Sequence, residues 1–590
     1  MGQAAAAREA RAVSIERAET ALREQRWGDA IADLERLLAA GRTSVLHREL
    51  ARCLRRTGRP TEALQNYLEA LRLDPRDVAT LQDLSLLLAD AGHLAEALAA
   101  LEQAIKLRPD MVSLRLSLAQ LARRARRDGL AVTILQRTLL LHPDSVEVHN
   151  NLGAYLREQG DITASLRHYR RAIELAPERI AVWSGYLFTL NCDPDLAPEE
   201  VAREHRRFGE LLAPARRLVP VKGATDVLRV GYMSADFHAH SVAYFIAPVI
   251  AAHDRRRVHV TCYATDAGSD AMTERLRGLA DDWREVASLD DAQLARQISE
   301  DGIHVLVDLS GHTALNRLSA MARRLAPVQA TYLGYPNTTG VPAIDLRITD
   351  GLADPPGDAD AWHTERLVRL PGGFVAWDPP EWAHAVPVAP VRAGDEISFG
   401  CFNNLAKLSE RVLSTWARLL AQVPRARLVL KAGGLADERV RGRVYEIWER
   451  HGVSPERVHL LASTQSPADH LACYGEVDVA LDPFPYNGTT TTCETLWMGV
   501  PVVTLAGRSH AGRVGCSLLH RVGLDDLVAA DEDAYIALAS RLARDRQRLA
   551  ELRLGLRSRL QASTLGDAGR LARELEDAYE EAWRRAAPAD

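Results

Sequence analysis

The stretch Asp478–Gly507, DVALDPFPYNGTTTTCETLWMGVPVVTLAG, decides how the chain folds. An apolar run leaves the core at Asp482-Pro483 and turns at Pro485-Tyr486-Asn487-Gly488. Four threonines then open a segment with helical spacing, in which Leu496 and Trp497 are apolar and Gly499 is the stop. PVVTLAG follows as a second apolar run. Strand, turn, helix and strand in this order make a unit of parallel sheet. The threonines therefore fall at a helix N-terminus on the carboxyl edge of a sheet. First-turn amides and the helix dipole make that place an anion site. Hydroxyls add donors, and a diphosphate is the natural guest. Glu494, read into the first turn, is placed to accept from ribose hydroxyls. The bland alternative is an N-cap with spare threonines, although one threonine suffices for a cap.

The same texture extends in both directions. LRVGYMS, VHVTCYAT, IHVLVDLSG, VQATYLG and DLRITD follow Asp226, and ISFGCFNN, ARLVLKAG, RVHLLAS, DVALDPF and PVVTLAG form a second set. Runs rich in Val, Ile and Leu suit strands buried on both faces. Between the sets lies DPPEWAHAVPVAPVRAGDE, Asp378–Glu396, which reads as a linker. Two doubly wound lobes in series place a cleft between them, with ligands at the carboxyl ends of the strands. No G-x-G-x-x-G follows a first strand and no GxxxxGK[ST] occurs, which argues against a nicotinamide dehydrogenase and a P-loop ATPase. In FGCFNNLAKLSERVL, residues Asn403, Asn404 and Lys407 follow the second lobe's first strand. A lysine there can neutralise a leaving diphosphate, although a lone lysine is usually a surface residue.

The first third has a different rhythm. Pro75, Pro109, Pro143 and Pro177 stand 34 residues apart, and Ala63, Ala97, Ala131 and Ser165 keep the same period. Gly58, Gly92 and Gly160 keep it too, with Arg126 in the missing glycine's place. A 34-residue repeat of helix, turn and helix is the tetratricopeptide signature. An earlier unit around EQRWGDAIADLERLLAA is degenerate, as a terminal cap is. Such arrays stack into a curved surface that grips polypeptide. The alternative is scaffolding or self-association, including a homodimer through the repeats. The expected domains are repeats over 12–190, a first lobe over 226–388, a second lobe over 395–562 and a C-terminal helix over 563–590.

Composition agrees with three or four globular domains for 590 residues. A net charge of -6 argues against bulk nucleic-acid binding. No apolar run has membrane-spanning length, and the Ala-rich N-terminus lacks the apolar stretch of a signal peptide. Ala6 stands where a myristoylation motif wants Ser or Thr. Seven scattered cysteines form no CxxC, so neither a disulfide framework nor a zinc site is expected and the setting is read as cytoplasmic.

FNNLAKLSERVLSTWARLLAQVP, LDPFPYNGTTTTCETLWMGVPVVTLAG, GYPNTTG and ITDGLADPP resemble the O-GlcNAc transferase/SPINDLY family, in which tetratricopeptide repeats precede a two-lobed GT-B catalytic region. The resemblance covers nearly the whole chain, domain order included. It implies that Lys407 contacts the donor diphosphate, that Asn404 lies near the same phosphates, and that Thr490 and Thr491 start the helix beneath them. Glu494 is implied at the ribose, His470 near the base, and Leu333 and Gly334 beside the transferred sugar. His240 is implied as the debated catalytic base, with Asp236 as a nearby proton-handling acid. Where animal enzymes carry a histidine, a lysine and a base-proximal lysine, this chain has Thr489, Ala314 and Pro467, which is similar to the SPINDLY branch.

The resemblance implies an inverting, metal-independent protein O-glycosyltransferase, with UDP-GlcNAc as the favoured donor and GDP-fucose as the alternative. No Asp-x-Asp cluster is present to hold a divalent ion against phosphates. His238 and His240 at i, i+2 lack further ligands for zinc. His240 as a structural loop histidine is the other reading. The rival classes are a non-catalytic repeat scaffold carrying an inactive transferase fold, and a transferase acting on small molecules or glycans.

Overall fold

The computed structural model describes residues 2–24, 26–212, 227–389 and 396–586, with side chains from Val13 onward. Residues 390–395 of the expected linker lie outside the described residues, as do the first lobe's starting residue, Asp226, and the second lobe's, Asp395. The chain forms two compact units, Met1–Leu152 and Gly153–Asp590.

The first unit is a run of antiparallel helix pairs, among them Ser44–Arg56 with Pro60–Leu73 and Val78–Asp90 with Leu94–Leu107. The period found in the sequence has two physical causes. Ala63, Ala97 and Ala131 are fully buried, so paired helices approach with no room for a larger side chain. Gly58 and Gly92 turn the chain at φ +74° and +84°, a left-handed conformation that glycine adopts freely. Arg126 holds the same place at φ +57°, where a side chain costs about 1–2 kcal/mol.

The second unit continues the pattern with helices Ile162–Leu175, Ile180–Leu190 and Pro198–Leu211. Gly160 turns at φ +78°, and buried Ser165 donates to Gly153 O at 2.6 Å. Two parallel sheets follow. The first has β1 (Leu228–Ser234), β2 (Val258–Ala264), β3 (Asp282–Glu285), β4 (Val305–Asp308), β5 (Val328–Thr331), β6 (Leu346–Thr349) and β7 (Arg366–Arg369). The second has β8 (Ile397–Cys401), β9 (Ala426–Lys431), β10 (Val458–Leu461), β11 (Val479–Leu481), β12 (Val502–Leu505) and β13 (Val528–Ala529). Their orders are β3-β2-β1-β4-β5-β6-β7 and β10-β9-β8-β11-β12-β13. Each sheet therefore reverses direction beside its first strand, between β1 and β4 or between β8 and β11. That reversal opens a crevice at the carboxyl ends, where α/β folds bind ligands. N-terminal repeats followed by two doubly wound lobes is the architecture expected from the sequence.

The lobes are joined through their carboxyl-edge loops. His510 Nδ1, beyond β12, lies 2.6 Å from Asp354 Oδ2, beyond β6, and Arg513 Nε donates to Leu352 O at 2.8 Å. The connection Asp378–Ala389 packs as it crosses: Ala383 is buried and accepts a bond from Trp497 Nε1 at 3.2 Å. Helix Ala568–Ala586 then returns to the first lobe and packs on helix Ser241–Ala252. There the buried Glu576 carboxylate meets His253 Nδ1 at 2.9 Å and Arg257 at 3.0 Å.

Candidate active site

Each lobe builds its crevice in the same way. Beyond β11, Asp482 is buried and accepts from Gly488 N–H at 2.7 Å and from Thr504 Oγ1 of β12 at 2.7 Å. Beyond β4, Asp308 ends its strand and accepts from Ser310 and Gly311 N–H at 3.1 and 2.9 Å and from Thr331 Oγ1 of β5 at 3.2 Å. In both lobes a carboxylate at the end of the strand after the reversal pins the next loop to the next strand. Burial outweighs these bonds and pushes both carboxyls up to about 6. Sequence reading missed both residues, although a buried apolar run ending in Asp (VLVD, VALD) was the available signal.

Pinned in this way, the turn delivers the threonines. Asn487 donates through Nδ2 to Pro483 O at 2.9 Å and through its N–H to Ala511 O at 2.8 Å. Helix Thr490–Trp497 starts after Thr489, whose side chain makes no capping bond. The first ladder bond runs from Cys493 N–H to Thr489 O at 3.0 Å. The amides of Thr490, Thr491 and Thr492 thus precede the ladder, as first-turn amides do. Thr491 Oγ1 donates to Asn403 Oδ1 at 3.0 Å and ties the helix start to the loop after β8. The helix closes at Gly499 (φ +74°), with Gly499 N–H on Leu496 O and Val500 N–H on Thr495 O, both at 3.0 Å. Because the helix begins at Thr490, Glu494 sits in its second turn and not in the first, as the sequence suggested.

Lys407 reaches this helix from the opposite side of the crevice. It ends a short turn, Leu405–Lys407, capped by Asn404, whose side chain accepts from Ala406 N–H at 3.0 Å. Lys407 Nζ donates to Asn487 O at 2.7 Å and lies 4.0 Å from the centre of the Tyr486 ring. Burial holds its ammonium below the ordinary lysine range, with Asp482 opposing the shift. Asn404 itself is exposed, while Asn403 is buried.

His470 and Glu494 are joined: His470 Nε2 lies 3.1 Å from Glu494 Oε2. Lys431, the last residue of β9, donates to His470 Nδ1 at 2.6 Å, which makes the neutral ring its Nε2–H form. Lys431 was missed by sequence reading; a cation ending the apolar run ARLVLK at the cleft edge was the signal. Phe402 and Tyr474 complete this corner, with ring centres 4.5 Å apart.

In the first lobe, the loop after β1 carries Asp236, His238 and His240. His240 caps helix Ser241–Ala252, its Nδ1 accepting from Val242 N–H at 3.3 Å, with Asp236 Oδ1 at 3.7 Å. Burial lowers the His240 pKa and Asp236 opposes the shift. Accepting at Nδ1 leaves the proton on Nε2. Service as a base at Nε2 therefore requires Nδ1 to carry the proton and give it to Asp236. Among the described residues, buried Asp236 Oδ2 has no hydrogen-bond partner. Asp270 Oδ2 fixes this loop by accepting from Ala239 N–H at 2.7 Å. Beyond β5, Leu333 holds φ +72° in a three-residue turn closed by Gly334 N–H on Tyr332 O at 2.9 Å. A Cβ on Gly334 would lie 1.9 Å from Leu309 O, so only glycine fits. Tyr244 lies on the helix that His240 caps. Its phenol pKa is raised by burial, by Asp270 and, from the other lobe, by Glu494.

The chain matches the family model described as glycosyl transferase family 41 over residues 217–384 and 391–575. It belongs to that family. Tetratricopeptide repeat models match residues 42–110, 88–154 and 146–179. Among curated family 41 relatives, it is 45% identical over 365 residues to the tomato (Solanum lycopersicum) protein named probable UDP-N-acetylglucosamine--peptide N-acetylglucosaminyltransferase SPINDLY, covering 61% of this chain and 39% of that protein. It is 30% identical over 411 residues to the Arabidopsis thaliana relative with the same enzyme name and the suffix SEC, covering 66% of this chain and 42% of that one. The chain thus spans less than half the length of these relatives. A solved structure of a mutant Thermobaculum terrenum O-GlcNAc transferase is 36% identical, with TM-score 0.76, covering 92% of this chain and 98% of that one.

Proposed function

We propose that this family 41 chain is an inverting protein O-glycosyltransferase that moves GlcNAc from UDP-GlcNAc to Ser/Thr hydroxyls of protein acceptors. The observation that carries the reading is the Lys407 ammonium, 2.7 Å from Asn487 O at the foot of the threonine helix. In a single displacement the acceptor oxygen bonds to the anomeric carbon as the bond from that carbon to the phosphate oxygen breaks. The diphosphate departs with the electron pair, and Lys407 and the first-turn amides meet its charge. The acceptor proton passes to Nε2 of His240 in its Nδ1–H form, with the Asp236 carboxylate facing the separate proton on Nδ1. In this reading Glu494 and His470 take the nucleoside end, Asn404 and Thr489 to Thr491 line the phosphate side, and Leu333 and Gly334 shape the sugar's place. Metal independence is part of the proposal. Among the described residues no three His, Cys, Asp or Glu side chains gather as a metal site would.

The names of the relatives support a GlcNAc donor and a peptide acceptor. We assign residues 12–190 to acceptor binding, 226–388 to the acceptor side, 395–562 to the donor side and 563–590 to the helix that closes the first lobe. A cytoplasmic setting is also proposed. All seven cysteines are free thiols, and among the described residues no helix is long and apolar enough to cross a membrane. Self-association through the repeats is read by sedimentation.

The test offers UDP-GlcNAc and GDP-fucose separately to the full chain with Ser/Thr-containing proteins, read by intact mass. Gain of an N-acetylhexosamine supports the reading, and gain of a deoxyhexose reassigns the donor. Absence of transfer from both, with no diphosphate release that depends on Lys407, overturns it in favour of a scaffold.

A further inference from the structure

The repeat region supplies a side chain to the ring on which Lys407 rests. Phe188, on helix Ile180–Leu190, stands where both lobes meet. Its ring centre is 6.1 Å from that of Tyr486 in the second lobe and 6.1 Å from that of Tyr335 in the first. Arg157 places its guanidinium carbon 4.9 Å from the Phe188 ring centre. The Tyr486 ring in turn carries the Lys407 ammonium at 4.0 Å. Each step falls in the range where aromatic pairs and cation–ring contacts attract. The result is one column, Arg157–Phe188–Tyr486–Lys407, running from the last repeats into the donor crevice.

The far end of this support is fixed. Tyr335 Oη lies 2.7 Å from His205 Nε2 and accepts from Asn191 Nδ2 at 2.9 Å. His205 Nδ1 lies 2.7 Å from Val201 O, so Nε2 is the accepting nitrogen and the Tyr335 hydroxyl donates to it. Phe188 thus leans on a ring locked by buried hydrogen bonds and passes that constraint to Tyr486. A lysine has four rotatable bonds and a single point charge, so an unsupported ammonium wanders. Small misplacements of a charge-stabilising group are expensive in rate.

Resting on the reading of Lys407 as the leaving-group lysine, we propose that Phe188 is a positioning residue for glycosyl transfer, acting through Tyr486 to hold the Lys407 ammonium over the diphosphate site. The repeats then do more than present acceptors: they complete the donor crevice.

Full-length Phe188→Ala, Phe188→Leu and Phe188→Tyr are compared by titration with UDP, GDP, uridine and guanosine, and by turnover. Alanine and leucine are expected to weaken UDP and GDP about tenfold and to lower turnover at least as much. Nucleoside affinity stays level, and tyrosine, which keeps a ring, restores the diphosphate. In a Lys407→Ala background Phe188→Leu should change diphosphate affinity no further, as two members of one unit behave. Equal losses with and without Lys407 would make Phe188 a general packing residue and overturn the proposal. So would unchanged diphosphate binding in Phe188→Leu. If Lys407→Ala alone keeps normal turnover and diphosphate affinity, the reading of Lys407 fails instead, which is a separate outcome.

Discussion

Lys407 and Asn487, 80 residues apart in sequence, meet through a 2.7 Å bond from the lysine ammonium to the asparagine carbonyl. Asn487 is the residue before Gly488 and the threonine run, so this bond parks a cation beside the helix-start amides. The sites around Asn487 explain why the carbonyl is fixed. Its amide group bonds Pro483 O, and its Oδ1 accepts from Gly515 N–H at 3.1 Å. A backbone held this firmly can present a lysine to a ligand without reorganising when the ligand arrives.

Lys407→Ala is expected to lower kcat/KM for transfer by roughly a hundredfold or more, the scale of one lost electrostatic donor at a reacting centre. The side chain's hydrogen bond goes to a backbone oxygen that water can replace, so circular dichroism and melting temperature should stay near wild type. Turnover close to wild type in a folded variant would refute the assignment.

The threonine run should act mainly through its amides. Thr490→Ala removes one hydroxyl and should weaken UDP and GDP alike by about 1–2 kcal/mol, with nucleosides unaffected. Thr491→Ala should cost more than Thr490→Ala, because Thr491 Oγ1 also holds Asn403. Thr491→Pro deletes an amide in the first turn, where helices tolerate proline, and should do the greatest harm. Calorimetric titration with each ligand decides it. Equal losses for nucleosides and diphosphates would mean that the run does not recognise phosphate.

How legible the sequence was follows from the apolar run each strand carries. β1, β2, β4, β8, β9 and β12 are interior strands that are almost wholly buried, and each was readable. β3 (DWRE), β7 (RLVR) and the two-residue β13 are edge strands. With one neighbour each and little buried surface, β3 and β7 carry charged residues and no apolar run, and they went unseen. The return of helix Ala568–Ala586 to the first lobe was also invisible, since Glu576 and Tyr579 show a helix face but not that His253 and Tyr232 lie opposite. The candidate site divides in the same way. Lys407 and the threonines follow strands directly and could be placed from local grammar. Tyr486 as a seat for Lys407, and Phe188 behind it, exist only through contacts between distant segments.

The paired carboxyls give the second unit a pH signature. In an unfolded chain an aspartate titrates near ~4; folded Asp308 and Asp482 titrate at about 6. The folded state holds these protons more tightly, so their stabilising contribution is complete below the unfolded pKa. It is lost as pH rises through about 6. Asp482→Asn keeps an acceptor for Gly488 N–H and cannot ionise. Its melting temperature relative to wild type should therefore rise between pH 4 and pH 7, and the Asp308→Asn, Asp482→Asn double variant should show a larger rise. A difference independent of pH would remove the carboxyls as its cause.

Transfer should also fail in acid. His240 must be neutral to take a proton, and burial places its pKa below the ordinary histidine value. The acid limb of kcat should therefore lie below pH ~6.5. Asp236 opposes the shift, so Asp236→Asn should move the limb to still lower pH while reducing the plateau. A limb that stays in place in both Asp236→Asn and His240→Ala belongs to another group, and His240 would then be the structural cap that its bond to Val242 already makes it.

Where the repeats are cut determines what a truncation reports. The seam between the units is at Leu152/Gly153, inside helix Val146–Glu158, so a cut that keeps this helix whole falls before Val146. Removing residues 1–144 should spare UDP and GDP affinity and reduce glycosylation of large protein acceptors far more than that of short peptides. Removing residues 1–190 takes away Phe188 and also Ser184, whose hydroxyl lies 3.2 Å from buried His312 Nδ1. Each buried polar group left without a partner costs about 1–3 kcal/mol. The shorter chain should therefore melt earlier and lose diphosphate affinity as Lys407 loses its support. Melting curves, UDP titration and the ratio of protein to peptide turnover separate the two cuts. If cutting at 144 leaves protein acceptors as well modified as peptides, the repeats do not grip the acceptor. If cutting at 190 leaves diphosphate affinity whole, they do not hold the lysine either.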